Sequence, residues 1–278
     1  MTDRSVAADV EKLLSEHVAE NTEKAVFSQL LSFVDLTSLN TDDTVEKIGE
    51  MVEKVNQFDD QFDILPHPAG ICVYPAFVPT VKDTLQEDVD IVSVAGDFPH
   101  SQTFIEVKIA EIAMAVMEGA TEIDVVFPVG KFLSGNYDEI HSELSEMKQS
   151  CREAKMKVIL ETGLLKNAES IKKAALISMC AGADFVKTST GKGYQGATPE
   201  AFYVMCQTVK EFNAKNGTKV GVKVAGGVST TEDAVKYYTI VKQVLGKTWL
   251  TPDLFRIGAS RLVNNLLTSI VGKEISYF

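Results

Sequence analysis

The chain has 278 residues, 45% of them hydrophobic, and a formal net charge of -12. That length supports a substantial core, while the acidic balance excludes a surface built to neutralise nucleic-acid phosphates. The four cysteines, Cys72, Cys151, Cys180 and Cys206, include no C-x-x-C pair and suit a reducing compartment better than a disulfide scaffold.

The opening Met1-Thr2-Asp3-Arg4-Ser5-Val6 is polar and predicts no secretory leader. No later apolar stretch approaches the ~18 residues that span a bilayer, so the expectation is a cytoplasmic protein without membrane contact. Residues 5–20 alternate like a surface helix and belong to an N-terminal helical extension over 1–31, expected outside the barrel and covering its N-terminal face. Short β-branched runs then recur near Phe33-Val34, Gly70–Val73, Val89–Val94, Glu122–Val126, Lys157–Leu160, Asp184–Val186, Val220–Val224 and Phe255–Ile257. Amphipathic stretches separate them: Val45, Ile48, Val52 and Val55 share one helix face, as do Ile105, Ile109, Ile112 and Val116. Thr198-Pro199-Glu200 pairs an N-cap threonine with proline at the first helical position, and Ser229-Thr230-Thr231-Glu232-Asp233 marks another helix start. Strict strand–helix alternation implies parallel strands with crossover helices. Eight repeats at this length fit a closed (β/α)8 barrel of about 250 residues better than an open sheet. With no Pro/Ser-rich linker, one domain over 1–278 is expected, ending in a short mobile tail, 272–278.

Lys187 ends the apolar run Ala183-Asp184-Phe185-Val186, and Lys223 sits likewise within Val220-Gly221-Val222-Lys223-Val224. A lysine near a strand end ordinarily reaches out to water. Two such lysines, each followed by a glycine-rich turn, point instead to a buried pair in which each cation lowers the pKa of the other. A neutral amine in an apolar pocket is a nucleophile suited to forming an imine with a carbonyl. Asp124 interrupts the apolar Ile123-Asp124-Val125-Val126-Phe127 and needs a cation nearby; a buried ion pair and a proton relay both fit it. Asp35, Cys72 and Glu161 fall at other strand ends, the face where barrel enzymes place their active sites. Cys72 reads equally as a small core residue, and Asp35 as a cap of the next turn.

Val34-Asp35-Leu36-Thr37-Ser38-Leu39, Ile71-Cys72-Val73-Tyr74-Pro75, Glu122 to Pro128, Lys157 to Gly163, Phe185-Val186-Lys187-Thr188-Ser189-Thr190-Gly191-Lys192, Gly221-Val222-Lys223 and Arg256-Ile257-Gly258-Ala259-Ser260 resemble, in order, the motifs of the 2-deoxyribose-5-phosphate aldolase family. The resemblance covers nearly all of the chain after the first thirty or so residues. It implies a class I aldolase on a (β/α)8 barrel, without cofactor, serving deoxyribonucleoside catabolism and able to pair as a dimer. The position of Lys187 would carry the Schiff base, and Asp124 with Lys223 would relay protons. Asp35, Thr37, Cys72, Lys157 and Thr190 are expected near the substrate, with no chemical step assigned to Lys157. Relatives often end in a tyrosine that folds over the barrel mouth; here Tyr277 is penultimate and is expected to visit the site.

Gly191-Lys192, Gly226-Gly227 and Gly258-Ala259-Ser260 read as three turns that bring backbone N–H groups to a phosphate. Many relatives carry arginine where this chain has Ser229, and serine where it has Arg261, so Arg261 is the expected replacement cation. Gly191-Lys192-Gly193-Tyr194-Gln195-Gly196 also matches the dinucleotide fingerprint, but Glu211 falls within a helical stretch rather than at the end of the next strand, which excludes that reading. A phosphosugar isomerase or epimerase, and a silent barrel binding phosphosugars or a partner protein, remain as alternatives. His17, His67, His100 and His141 show no metal-ligand spacing.

Overall fold

Short, largely apolar runs, most of them carrying a charged or small residue on the inward face, form eight strands: β1 (Val34–Thr37), β2 (Gly70–Val73), β3 (Asp90–Ala95), β4 (Glu122–Val126), β5 (Lys155–Ile159), β6 (Phe185–Lys187), β7 (Gly221–Ala225) and β8 (Phe255–Ala259). In the computed structural model, which describes residues 2–278, they pair in parallel in chain order and β8 closes on β1. This is the expected (β/α)8 barrel. Ile71, Val73, Ile123, Val125, Met156, Val158, Val222 and Val224 join the core shared with the surrounding helices. The residues between them point into the barrel, because successive strand side chains alternate faces.

The expected helix starts are present. The Thr198 and Thr230 side chains accept from the backbone N–H of Ala201 and Asp233 and open helices Pro199–Asn216 and Thr231–Val244. Ile48, Val52 and Val55 are buried along helix Val45–Asn56, whereas Val45 lies exposed in its first turn. The opening segment differs from expectation. Helix Asp3–His17 packs along the outer ring, against helices Pro199–Asn216 and Thr231–Val244, rather than across an end of the barrel. The Asp3 carboxylate accepts from the N–H of Ala168, the first residue of helix Ala168–Cys180. A second helix, Lys24–Leu31, leads into β1 and packs on Thr231–Val244 and Leu262–Val271.

Candidate active site

The barrel interior is ionic. Lys157 on β5, Lys187 on β6, Lys223 on β7 and Arg256 on β8 face Asp35 on β1, Asp90 on β3, and Glu122 and Asp124 on β4. Strand register stacks Lys187 beside Lys223 and Lys223 beside Arg256. Asp124 is the hub: its Oδ2 accepts from Lys187 Nζ at 2.7 Å and Lys223 Nζ at 2.8 Å, and its Oδ1 from Lys157 Nζ at 3.1 Å. Lys223 also pairs with Asp35 Oδ2, and Lys157 with Glu122.

Four cations thus meet four carboxylates, of which Asp35, Glu122 and Asp124 are buried and Asp90 is part-exposed. Lys187, 3% exposed, meets one carboxylate, at the Asp124 oxygen it shares with Lys223, whereas each of the other three cations meets two or more. Its charge is therefore the one most easily given up, since a buried ammonium that only shares a carboxylate oxygen is poorly compensated. Burial is the largest influence pushing the Lys187 pKa below the ordinary lysine range; Asp124 opposes the shift and the Lys223 cation adds to it. Lys223 behaves oppositely. Burial works against its ammonium, but Asp124 and Asp35 outweigh burial and hold its pKa above the usual range. For Asp124, burial is likewise outweighed by Lys157, Lys187 and Lys223, so the carboxyl lies well below its usual range. The arrangement keeps a charged Lys223 beside a readily deprotonated Lys187.

Lys187 opens onto a cavity of about 270 Å³ at the carboxyl ends of the strands. Thr37, Thr190, Gly191, Lys192, Gly226, Gly227, Gly258, Ser260 and Arg261 line it, so every residue expected at the phosphate is brought to one place. The Gly191–Gly196 stretch does its packing there. A side chain at Gly196 would meet the Gly226 carbonyl oxygen at 2.2 Å, and the Ala197 N–H donates to that oxygen at 3.0 Å. The β6 loop thus lies directly against the β7 turn, which requires glycine at the contact. Glu211 pairs with Lys172 on the outer ring, well away from any dinucleotide arrangement.

Other expected residues sit elsewhere. Asp35 and Lys157 are fully buried in the ionic layer, below the cavity wall. Cys72 is fully buried against Leu39, Val92 and Val94; burial pushes its thiol pKa up, with smaller influences from Lys223, Asp124 and Lys187. Glu161 adopts a left-handed backbone (φ 54°) and accepts from Thr190 through both Oγ1 and N–H, holding that threonine at the cavity edge. Tyr277 is not brought to the lysines. Its hydroxyl donates to the Lys54 carbonyl at 2.8 Å and its ring packs on Phe58 and Phe62, while Asn264 accepts from the N–H groups of Tyr277 and Phe278. Phe278 shares a neighbouring cleft with Thr37, Ser260 and Arg261. Arg256 and Glu122 were not among the residues expected at the site. The available signal was a charge inside an alternating strand, Phe255-Arg256-Ile257 and Glu122-Ile123.

Residues 29–248 match the DeoC/LacD family aldolases. The chain is 38% identical over 261 residues to deoxyribose-phosphate aldolases of Mus musculus and Homo sapiens, covering 90% of this chain and 82% of each relative. Among solved structures, QR15, an aldolase, is 30% identical with a TM-score of 0.70, covering 86% of this chain and 94% of that one. The deoxyribose phosphate aldolase of Aeropyrum pernix, described as tetrameric, is 26% identical with a TM-score of 0.71, over 93% and 95% of the two chains. No helix among the described residues is long and apolar enough to cross a membrane. A barrel whose buried lysine opens on a glycine-lined cavity, and whose sequence follows these aldolases over most of its length, belongs to the DeoC/LacD family of aldolases.

Proposed function

We propose that this chain reversibly cleaves 2-deoxy-D-ribose 5-phosphate to acetaldehyde and D-glyceraldehyde 3-phosphate through an imine on Lys187. The observation that carries the reading is that Lys187 is both the least-paired cation of the buried layer and a wall of the cavity. The neutral amine attacks the C1 aldehyde of the open-chain sugar, and the carbonyl oxygen leaves as water. A base then takes the C3 hydroxyl proton, the C2–C3 bond breaks, and its electron pair flows into the iminium to give an enamine and glyceraldehyde 3-phosphate. Protonation at C2 and hydrolysis release acetaldehyde and free Lys187. Asp124, charged and bonded to both lysines, relays these protons with Lys223. Lys192, Arg261 and the backbone N–H groups of the glycine turns hold the phosphate, and Thr37 and Thr190 face the sugar hydroxyls. For Tyr277, delivery of the C2 proton requires the tail to leave Asn264 and Lys54. The reducing cytoplasm is the proposed location, supported by four unpaired cysteines. Association into a homo-oligomer, at least a dimer, is supported by the exposed Phe104, Val107, Met114 and Met117.

Borohydride reduction in the presence of acetaldehyde, followed by peptide mass spectrometry, tests the imine. An ethyl group on Lys187 with loss of activity is expected, and Lys187→Ala should neither trap nor turn over. Ethylation spread evenly over surface lysines, or turnover that leaves Lys187 unmodified as in an isomerase, would overturn the reading.

A further inference from the structure

The ionic layer continues below the residues that the proposed chemistry uses. Arg256 on β8 is 1% exposed. Its Nη1 donates to Asp35 Oδ1 at 2.6 Å, the oxygen that Lys223 leaves free. Its Nη2 divides between Asp90 Oδ2 at 2.6 Å and Glu122 Oε1 at 3.1 Å, and its Nε donates to the Pro252 carbonyl. The guanidinium therefore ties β8 to β1, β3 and β4 at once. A planar fork can do this, whereas an ammonium cannot reproduce its several fixed directions.

We propose that Arg256 is a positioning residue for Schiff-base chemistry at Lys187: by holding one oxygen of Asp35, it aims the other at Lys223, the cation that shares the Asp124 oxygen with Lys187. The chain of contacts runs Arg256–Asp35–Lys223–Asp124–Lys187. Arg256 touches neither the cavity nor the reacting amine, so its influence is transmitted.

The charged surroundings fix the sign. Lys187 faces Asp124 from β4 and Lys223 from β7, with Cys72 on β2 beside it and Glu161 of the β5 turn nearby. Arg256 faces Asp35, Asp90 and Glu122, and lies beside Lys223 in register. At the rim Lys155 approaches Glu122 at 3.6 Å and bonds Asp253 at 2.8 Å, so solvent-side charges already pair with each other. Removing Arg256 leaves an excess carboxylate in the layer, which favours the ammonium form of Lys187. Neutralising Glu122 does the opposite. The direction of the Lys187 pKa, low from burial and from Lys223, agrees with a site sensitive to this balance.

The inference rests on Lys187 as the imine lysine, so wild-type protein is trapped in parallel. The measurement is the pH dependence of borohydride trapping and of kcat/KM for wild type, Arg256→Met, Arg256→Lys and Glu122→Gln, each checked for native circular dichroism. Arg256→Met should move the half-maximal pH upward by about one unit, a tenfold loss at a fixed pH below the transition. Arg256→Lys should recover part of that shift, and Glu122→Gln should move the profile downward. If Arg256→Met does not fold, the opposed shifts of Arg256→Lys and Glu122→Gln decide. Profiles that coincide with wild type, or that move the same way for Glu122→Gln and the Arg256 variants, overturn the role of Arg256. Failure of wild type to trap at Lys187 instead overturns the proposed reaction.

Discussion

Lys223→Leu replaces the buried cation beside Lys187 with an apolar side chain and leaves Asp124 and Asp35 short of a partner. Both changes favour the Lys187 ammonium, because a like charge has gone and two carboxylates have gained influence. The pH at which activity appears should therefore rise and kcat should fall, each unit of lost perturbation corresponding to about 1.4 kcal/mol between protonation states. A pH–rate profile checks this, and near-normal activity on an unmoved profile would remove Lys223 from the mechanism. The lysines and Asp124 were legible in the sequence because each is a charge set in an apolar strand. Their exchange of partners was not. That Lys157 binds Asp124 and Glu122, or that Asp35 lies under Lys223 instead of beside the substrate cavity, depends on which side chains meet across the barrel. Alternation along one strand gives the inward face but not the partner opposite.

The loops after β6, β7 and β8 converge on one cavity, and that convergence was visible in their glycines and in the order of the strands. Lys192 and Arg261 are the side-chain cations lining it besides Lys187. A charge-assisted hydrogen bond contributes about 1.5–3 kcal/mol, so Lys192→Ala or Arg261→Ala should raise KM for the phosphorylated substrate about tenfold or more. KM for unphosphorylated deoxyribose should hardly move. Steady-state kinetics on the two sugars separate these outcomes, and equal effects on both would mean that neither side chain reads the phosphate. The terminal elements were less legible. Short segments bury too few residues to show a period, and nothing in Gly272 to Phe278 announces that Asn264 will hold the backbone of the tail. If Tyr277 leaves this berth to protonate the enamine, Tyr277→Phe should slow hydrogen exchange at the acetaldehyde methyl while Lys187 still traps. Exchange at the wild-type rate, followed by NMR in heavy water, would leave Tyr277 with a structural role only, packed on Phe58 and Phe62 and bonded to Lys54.

For the whole molecule, barrel closure was readable from eight alternating strands, but a barrel filled with ion pairs was not, and that filling sets how stability responds to pH. Asp35 and Asp124 have folded-state pKa values below their unfolded ones: burial opposes their charge, and the surrounding cations outweigh it. Their contribution is present above about pH 4 and is lost as pH falls toward the folded values, because the unfolded chain then takes up protons first. Lys187 has the opposite consequence. Its folded pKa is lowered, chiefly by burial, so between that value and the unfolded lysine pKa of about 10.4 the unfolded chain again binds more protons, and stability rises with pH. Below that window the fold carries a buried ammonium at a net cost. Lys187→Met removes the cost while Lys157 and Lys223 still satisfy Asp124. The variant should therefore be inactive yet melt higher than wild type at neutral pH, with about 2–4 °C for each kcal/mol recovered. The gain should shrink as pH rises through that window toward the unfolded lysine pKa of about 10.4, above which Lys187 is neutral in both states, and both proteins should lose stability together in acid. Calorimetric melting of the two proteins from pH 4 to pH 10 measures this difference. A lower Tm for Lys187→Met at neutral pH would mean that the Lys187–Asp124 pair stabilises the barrel, and that the amine is not held there at a cost to folding.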